Sequence, residues 1–332
     1  MERVELNFKK RFNTFAIENS ILLFLVISFI VSAFFVPKFV TQYNLINLML
    51  QSVDLLIISC GVTFVVLNGG IDFSATAVLS LGSVIGAYIM VLSPLKDTPL
   101  AIPIGILAMI GTGLLMGVIN GISVVGLKIP SFIATLATMM IGNGVAVWFT
   151  SLVAPKASIY GLPDAFFIIG GDRKMFYVPV AIAIVVLVFT YWLLNCTIFG
   201  RRVYSVGTNP KTSFISGIPV KKTIFMMCLL SGLYAGIACV IVTARNQVGI
   251  PTLGDKVFID IIASIVIGGT SVFGGSGGVK QTMYGVLFIT LMNNVMNLLG
   301  VDWYVVSLIK GIFIFVAAFV DIFMRRAEPG GA

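Results

Sequence analysis

Several side chains with hydrogen-bonding or acid–base capacity stand inside stretches that are otherwise apolar, and their spacing is regular. Asn44, Asn47, Gln51 and Asp54 recur at intervals of three and four, so a helix would carry them on one face. Asn293, Asn294 and Asn297 repeat nearly the same pattern, Asp260 and Ser264 share a face of another stretch, and Lys310 stands alone in a last one. A charged group at the centre of a hydrocarbon layer costs about 2.5–3.5 kcal/mol even on the insertion scale, so such residues need a reason. Amides both donate and accept, which suits an uncharged, hydroxyl-rich solute. Interhelical glue is an equally good use for each asparagine. Asp260 with Lys310 reads more simply as a buried ion pair than as a working site. Asp54 or Asp260 as a proton or sodium site is the rival use.

Other chemistry is scarce. Histidine is absent, which excludes imidazole acid–base work and histidine metal ligation. Cys60, Cys196, Cys228 and Cys239 sit singly in apolar runs, with no C-x-x-C pair, and read as small buried hydrophobes. The stretch GGTSVFGGSGGVKQT, from Gly268 to Thr282, resembles a phosphate loop at a glance. It lacks the Gly-Lys-Ser/Thr ending, since Val279 intervenes and Gln281 follows Lys280. Gly268, Gly269, Gly274 and Gly275 are better read as a tight turn where backbones crowd. In NGGIDFSAT, Gly69 and Gly70 make a second turn, and Asp72 with Ser74 can cap the helix that follows. No catalytic, cofactor-binding or metal-ligating residue is assigned.

The elements that must position these groups follow from composition. Of 332 residues, 58% are hydrophobic and 10% charged, against about 25% charged in soluble domains, so the chain belongs in a membrane. About 20 predominantly apolar residues make a span. Ten such stretches are expected, near 17–37, 44–68, 74–93, 99–126, 131–151, 176–198, 222–244, 256–273, 280–300 and 303–324. The first is read as a retained helix. Small residues four apart, as in Gly82 with Gly86, Gly113, Gly117 and Gly121, and Gly232 with Gly236, allow close crossings within the chain.

Charge sets the orientation. With an inner N-terminus, the inner segments hold Arg3, Lys9, Lys10, Arg11, Lys128, five bases over 200–222, Lys280, Arg325 and Arg326, most of the 21 basic residues. The outer segments hold Lys38, Lys96, Lys156, Arg173, Lys174, Arg245 and Lys256, diluted by acids. The bias selects an all-α polytopic membrane protein with both termini inside. Bases scattered between apolar runs contact lipid headgroups and give no dense face for nucleic acid. One transmembrane domain results: an inner segment over 1–16, helix blocks at 17–198 and 223–324, a basic segment at 199–222 and a tail from 325. Spans two to five set against seven to ten would suit an inverted repeat.

Several motifs together resemble the membrane permeases of ribose-type ABC sugar importers, in the branched-chain amino acid and ribose permease family. They are NGGIDFS at 68–74, GVINGISVVGLKIPSFIATLATM at 117–139, GRRVYSVGTNP with SGIPVKK over 200–222, IDIIASIVIGGTSVFGG at 259–275, and NNVMNLLGV followed by IKG and Asp321. The resemblance implies a dimer of permease subunits, two cytoplasmic ATPase subunits and an extracytoplasmic binding protein that delivers a monosaccharide. It implies too that a short helix near Asn209 to Gly217 inserts into the ATPase. Arg201, Arg202, Asn209, Pro210, Lys211, Ser216 and Gly217 would form that coupling segment. The chain departs from the family pattern at Thr208, at Thr212 to Phe214, at Ser276 and at Asp54. Asn47, Gln51, Asp54, Asn293, Asn294 and Asn297 are the expected path-lining residues. Nucleosides or branched-chain amino acids are the alternative cargo, and an ion-coupled carrier is the rival mechanism.

Overall fold

A computed structural model of the chain describes residues 20–154, 156–171, 174–255 and 257–327, with side chains in the last helix as far as 316 and at 319. The expected segment 1–16 with its bases, and Arg173, Lys256 and the side chains of Asp321, Arg325 and Arg326, lie outside the described residues. The described chain is helical apart from one short strand pair. In order come α1 (Ser20–Phe35), α2 (Gln42–Leu67), α3 (Ser74–Val91), α4 (Ala101–Val125), α5 (Ser131–Val153), β1 (Ile159–Tyr160), α6 (Asp164–Gly170) and α7 (Tyr177–Cys196). Then follow α8 (Ile198–Thr208), α9 (Pro210–Ile215), α10 (Val220–Asn246), β2 (Val248–Gly249), α11 (Phe258–Ile267), α12 (Val279–Leu298) and α13 (Trp303–Ala327). Six of them, α2, α3, α4, α5, α7 and α10, are long and apolar enough to cross a membrane, and α1, α11 and the first part of α13 are shorter apolar helices.

Burial sorts these helices. α2 and α3 are the most enclosed, with α10 next, while α4, α5 and α7 turn most of their apolar surface outward. Leu107, Leu115, Trp148 and Val185 are among the exposed apolar side chains on that outer surface, the arrangement a hydrocarbon solvent favours. α10 packs on α4, α2 and α3 together. Its crossing with α4 is backbone on backbone: a Cβ built on Gly113 would strike the Gly232 carbonyl oxygen, and one on Gly117 would lie 2.8 Å from the Cys228 carbonyl oxygen. Gly82 and Gly86 of α3 instead make room for side chains, those of Cys239 and Met109. Without a hydrophobic drive between helices in lipid, such small-residue contacts supply the packing.

The connections gather at two ends of the bundle. At one end β1 pairs antiparallel with β2, Ile159 opposite Gly249. At the other end the turn after α2, the α8–α9 segment and the turn between α11 and α12 meet through Leu67, Gly207 and Gly275.

One expected stretch is shorter than its apolar length. The stretch 256–273 is a ten-residue helix, α11, followed by a turn whose Gly269, Gly274, Gly275, Gly277 and Gly278 all take positive φ. Val272 and Phe273 are a separate apolar pair within that turn, with Gly268 to Ser271 between them and the helix end. The segment 199–222 is mostly helical: α9 stands where a short helix is expected near Asn209 to Gly217, and α8 precedes it. Thr197 Oγ1 accepts the Gly200 N–H at 3.2 Å to start α8, which buries Val203 and Val206. Asn209 Oδ1 then accepts the Thr212 N–H at 3.0 Å, and Pro210 occupies the first position of α9.

Candidate functional site

The amide stripe of α2 faces α12, as the shared cavities show. One cavity of about 660 Å³ is lined by Gln51 from α2, Asp260 from α11, Asn293 and Asn297 from α12, and Trp303 and Lys310 from α13. That volume is in the range of small-ligand pockets. A smaller neighbour of about 200 Å³ shares Gln51, Asp260 and Asn293 and adds Asp54, Arg245 and Thr290. A third, of about 420 Å³, joins Asn47, Gln51, Asn294 and Asn297 beside Lys38. Gln51 lines all three.

Two ion pairs stand in the wall. Asp54 Oδ2 meets Arg245 Nη2, and Arg245 Nη1 donates to the Leu50 carbonyl oxygen at 2.7 Å. Asp260 Oδ1 lies 2.5 Å from Lys310 Nζ, and Asp260 Oδ2 accepts from Asn293 Nδ2 at 3.1 Å. The first pair ties α2 to α10, and the second ties α11 to α13 with α12 as a third partner. All four charged side chains are largely withdrawn from solvent, from 12% exposed for Lys310 to 24% for Arg245. Neither Asp54 nor Asp260 is a free carboxylate.

Arg245, expected among the bases of an outer segment, stands in the last turn of the 27-residue α10 and pairs with Asp54. The one signal available was Asp54 itself, a lone acid in an apolar helix that needs a base. Trp303 and Ser307 also line the cavity without having been singled out. Asp255 does so as well and accepts from Asn143 Nδ2 at 3.3 Å.

Asn294 differs from its neighbours. It is buried and exchanges two hydrogen bonds with Asn44, at 2.9 and 2.8 Å, while Asn44 Nδ2 also donates to the Phe39 carbonyl. These two amides satisfy each other and stitch α2 to α12.

At the opposite end, Asp72 does more than cap a helix. Its Oδ1 accepts from the Ser74 N–H and hydroxyl, and its Oδ2 accepts from Ser231 Oγ on α10 at 2.6 Å. Asn120 Nδ2 donates to Ser74 Oγ, and Thr138 Oγ1 donates to Asn120 Oδ1. The carboxylate thus joins α3, α4, α5 and α10 in one buried network. Gly70 lies beside it, with Ser131 Oγ 2.6 Å from where a Cβ would be, and Gly268 is pressed against the Gln281 backbone.

Beyond this network α9 projects outward. Arg201, Asn209, Pro210, Lys211 and Ser216 are exposed around it, Arg202 is half-buried, and Gly217 reverses the chain at φ 79°. Its tip is apolar: Phe214 is 73% exposed and Ile215 is 85% exposed. That pair was legible in sequence as two adjacent large apolar residues in an otherwise polar segment, yet the bases drew the attention.

The branched-chain amino acid transport system / permease component family matches residues 44–318. Among curated proteins, the chain is 38% identical to the ribose import permease protein RbsC of Bacillus subtilis, over 86% of each chain. It is 33% identical to RbsC of Haemophilus influenzae, over 93% of this chain and 94% of that one. It is 30% identical to the L-arabinose transport system permease protein AraH of Escherichia coli, over 90% and 89%. No solved structure matches the chain.

Proposed function

The chain belongs to the branched-chain amino acid transport system / permease component family, and on that premise we propose that it is the membrane-spanning subunit of an ATP-driven importer that carries a monosaccharide inward. It sits in the cell's inner membrane and catalyses no reaction itself; a separate ATPase chain hydrolyses ATP. Relatives named for two different sugars, ribose and L-arabinose, favour the monosaccharide class over nucleosides or amino acids. The observation that carries the reading is a separation: a polar cavity on one side of the bundle, and an exposed apolar-tipped helix, α9, at the end marked by Gly207.

The chain crosses ten times with both termini inside, α11 and its glycine turn together making the eighth crossing. The α9 end is cytoplasmic and the β1–β2 end is external, in agreement with the five bases of 199–222 lying by α9. A binding protein docks at the external end, ATPase subunits at α8–α9, and a second permease copy completes the conduit. Asn47, Gln51, Asn293 and Asn297 line the path, and Asn294 supports it through Asn44. An ion-coupled carrier is disfavoured, because Asp54 and Asp260 are engaged by Arg245 and Lys310.

Replacing Asn47, Gln51, Asn293 and Asn297 together with leucine is expected to cut ATP-driven ribose uptake about tenfold, since each net hydrogen bond is worth about 1 kcal/mol and a sugar in transit makes one or two of them. The ATPase should still copurify. Unchanged uptake would remove these four from the path.

A further inference from the structure

Three backbone segments meet closely beside α9, with the Thr208 hydroxyl as the one side-chain group against Gly275. A Cβ on Gly207 would fall on the Leu67 carbonyl oxygen and 2.9 Å from the Gly275 nitrogen. A Cβ on Gly274 would fall 2.7 Å from the Gly69 nitrogen and 3.0 Å from the Gly207 oxygen. Gly275 N–H donates to the Leu67 carbonyl at 2.9 Å. The contact therefore joins the end of α2, the end of α8 and the turn between α11 and α12. Tyr204, one turn earlier on α8, adds a side-chain tie: its hydroxyl donates to the Gly277 carbonyl at 3.0 Å. Burial raises the Tyr204 phenol above its usual range, so it stays a donor.

Three of the helices at this knot, α2, α11 and α12, carry many of the cavity's polar groups, while Arg245 on α10 and Lys310 on α13 stand outside it. Asn47, Gln51 and Asp54 lie on α2, Asp260 on α11, and Asn293 and Asn297 on α12. A single residue, Asn209, separates α8 from α9. Long side chains at such a contact would absorb a displacement by changing rotamer, whereas close-packed backbone passes it on. Positive φ at Gly69, Gly274 and Gly275, which glycine adopts without strain, is what lets these turns approach so closely.

We propose that the Gly69–Gly207–Gly274–Gly275 knot, braced by Tyr204, is the joint that delivers movement of α9 to α2, α11 and α12, and so sets how tightly ATP hydrolysis is coupled to solute passage. This rests on the importer reading. These are positioning residues, since they lie at the far end of the helices from the cavity groups.

The test uses the whole complex of permease, ATPase and binding protein in liposomes, with radiolabelled ribose or L-arabinose as the probe. Assembly, ATP hydrolysis and uptake are measured side by side for the parent, Gly207→Ala and Tyr204→Phe. Both variants should assemble and hydrolyse ATP within about twofold of the parent, while uptake falls about tenfold for Gly207→Ala and about fivefold for Tyr204→Phe, within the range of measured coupling energies. Uptake that stays at the parent level, or that falls only in proportion to hydrolysis, overturns the joint. If Gly207→Ala does not assemble, Tyr204→Phe decides by the same criterion. A parent complex that takes up neither ribose nor L-arabinose with ATP sinks the importer reading first, and the joint with it.

Discussion

Replacing Phe214 and Ile215 with aspartate should strip the ATPase from the membrane complex and lower ATP-driven uptake at least a hundredfold. Both side chains stand in solvent, 73% and 85% exposed, on a helix of six residues. They are held there by the Asn209 cap, by Ser213 turned inward and by the reversal at Gly217. Exposed apolar side chains at the tip of a rigid, polar-flanked projection fit a pocket on a partner. Burying each is worth about 1.5–3 kcal/mol, so losing two removes about 3 kcal/mol or more, and a buried carboxylate adds its own penalty. By contrast, Lys211→Ala should change little, since an exposed charge pair is worth about 0–1 kcal/mol and is screened by salt. The measurement is copurification of the ATPase with the tagged chain. Undiminished recovery would move the docking surface elsewhere.

The second large effect concerns the cavity wall. Arg245→Leu leaves Asp54 withdrawn from water without its base, and breaking a buried pair from one side costs about 3–5 kcal/mol. Some residual exposure, 24% for Arg245 and 13% for Asp54, places the expected loss near the lower end. Replacing both partners with leucine should recover most of that stability, because the pair itself offsets little beyond its own desolvation. Thermal unfolding in detergent distinguishes the outcomes. A single variant as stable as the parent would show that Asp54 draws no support from Arg245.

Apolar length made the long helices legible, and it misled where apolarity and helicity part. After the last helical residue of α11, Ile267, Gly268 and Gly269 end the helix, and the apolar pair Val272 and Phe273 lies in a turn that glycine's left-handed freedom permits. In α8 the reverse holds. Arg201 and Arg202 made the segment look like wet loop, yet Val203 and Val206, three apart, form an apolar face that is buried in the bundle.

The polar stripes were readable as stripes, but their partners were not. Asn293 and Asn294 are adjacent and point about 100° apart around one helix, so one reaches Asp260 in the cavity and the other reaches Asn44. Asp54 finds its base 191 residues away, and no local spacing encodes that distance. The joint at Gly207 is of the same kind: each glycine is visible alone, and their meeting is a property of the fold.

On the proposed reading this chain is a passive conduit worked by a separate ATPase docked at α9. Uptake of radiolabelled ribose and L-arabinose should therefore be followed in liposomes holding the full complex, with an ionophore collapsing every cation gradient and then with ATP withdrawn. Uptake should persist under the ionophore and stop without ATP. Accumulation that survives ATP withdrawal and dies with the gradient would contradict the account.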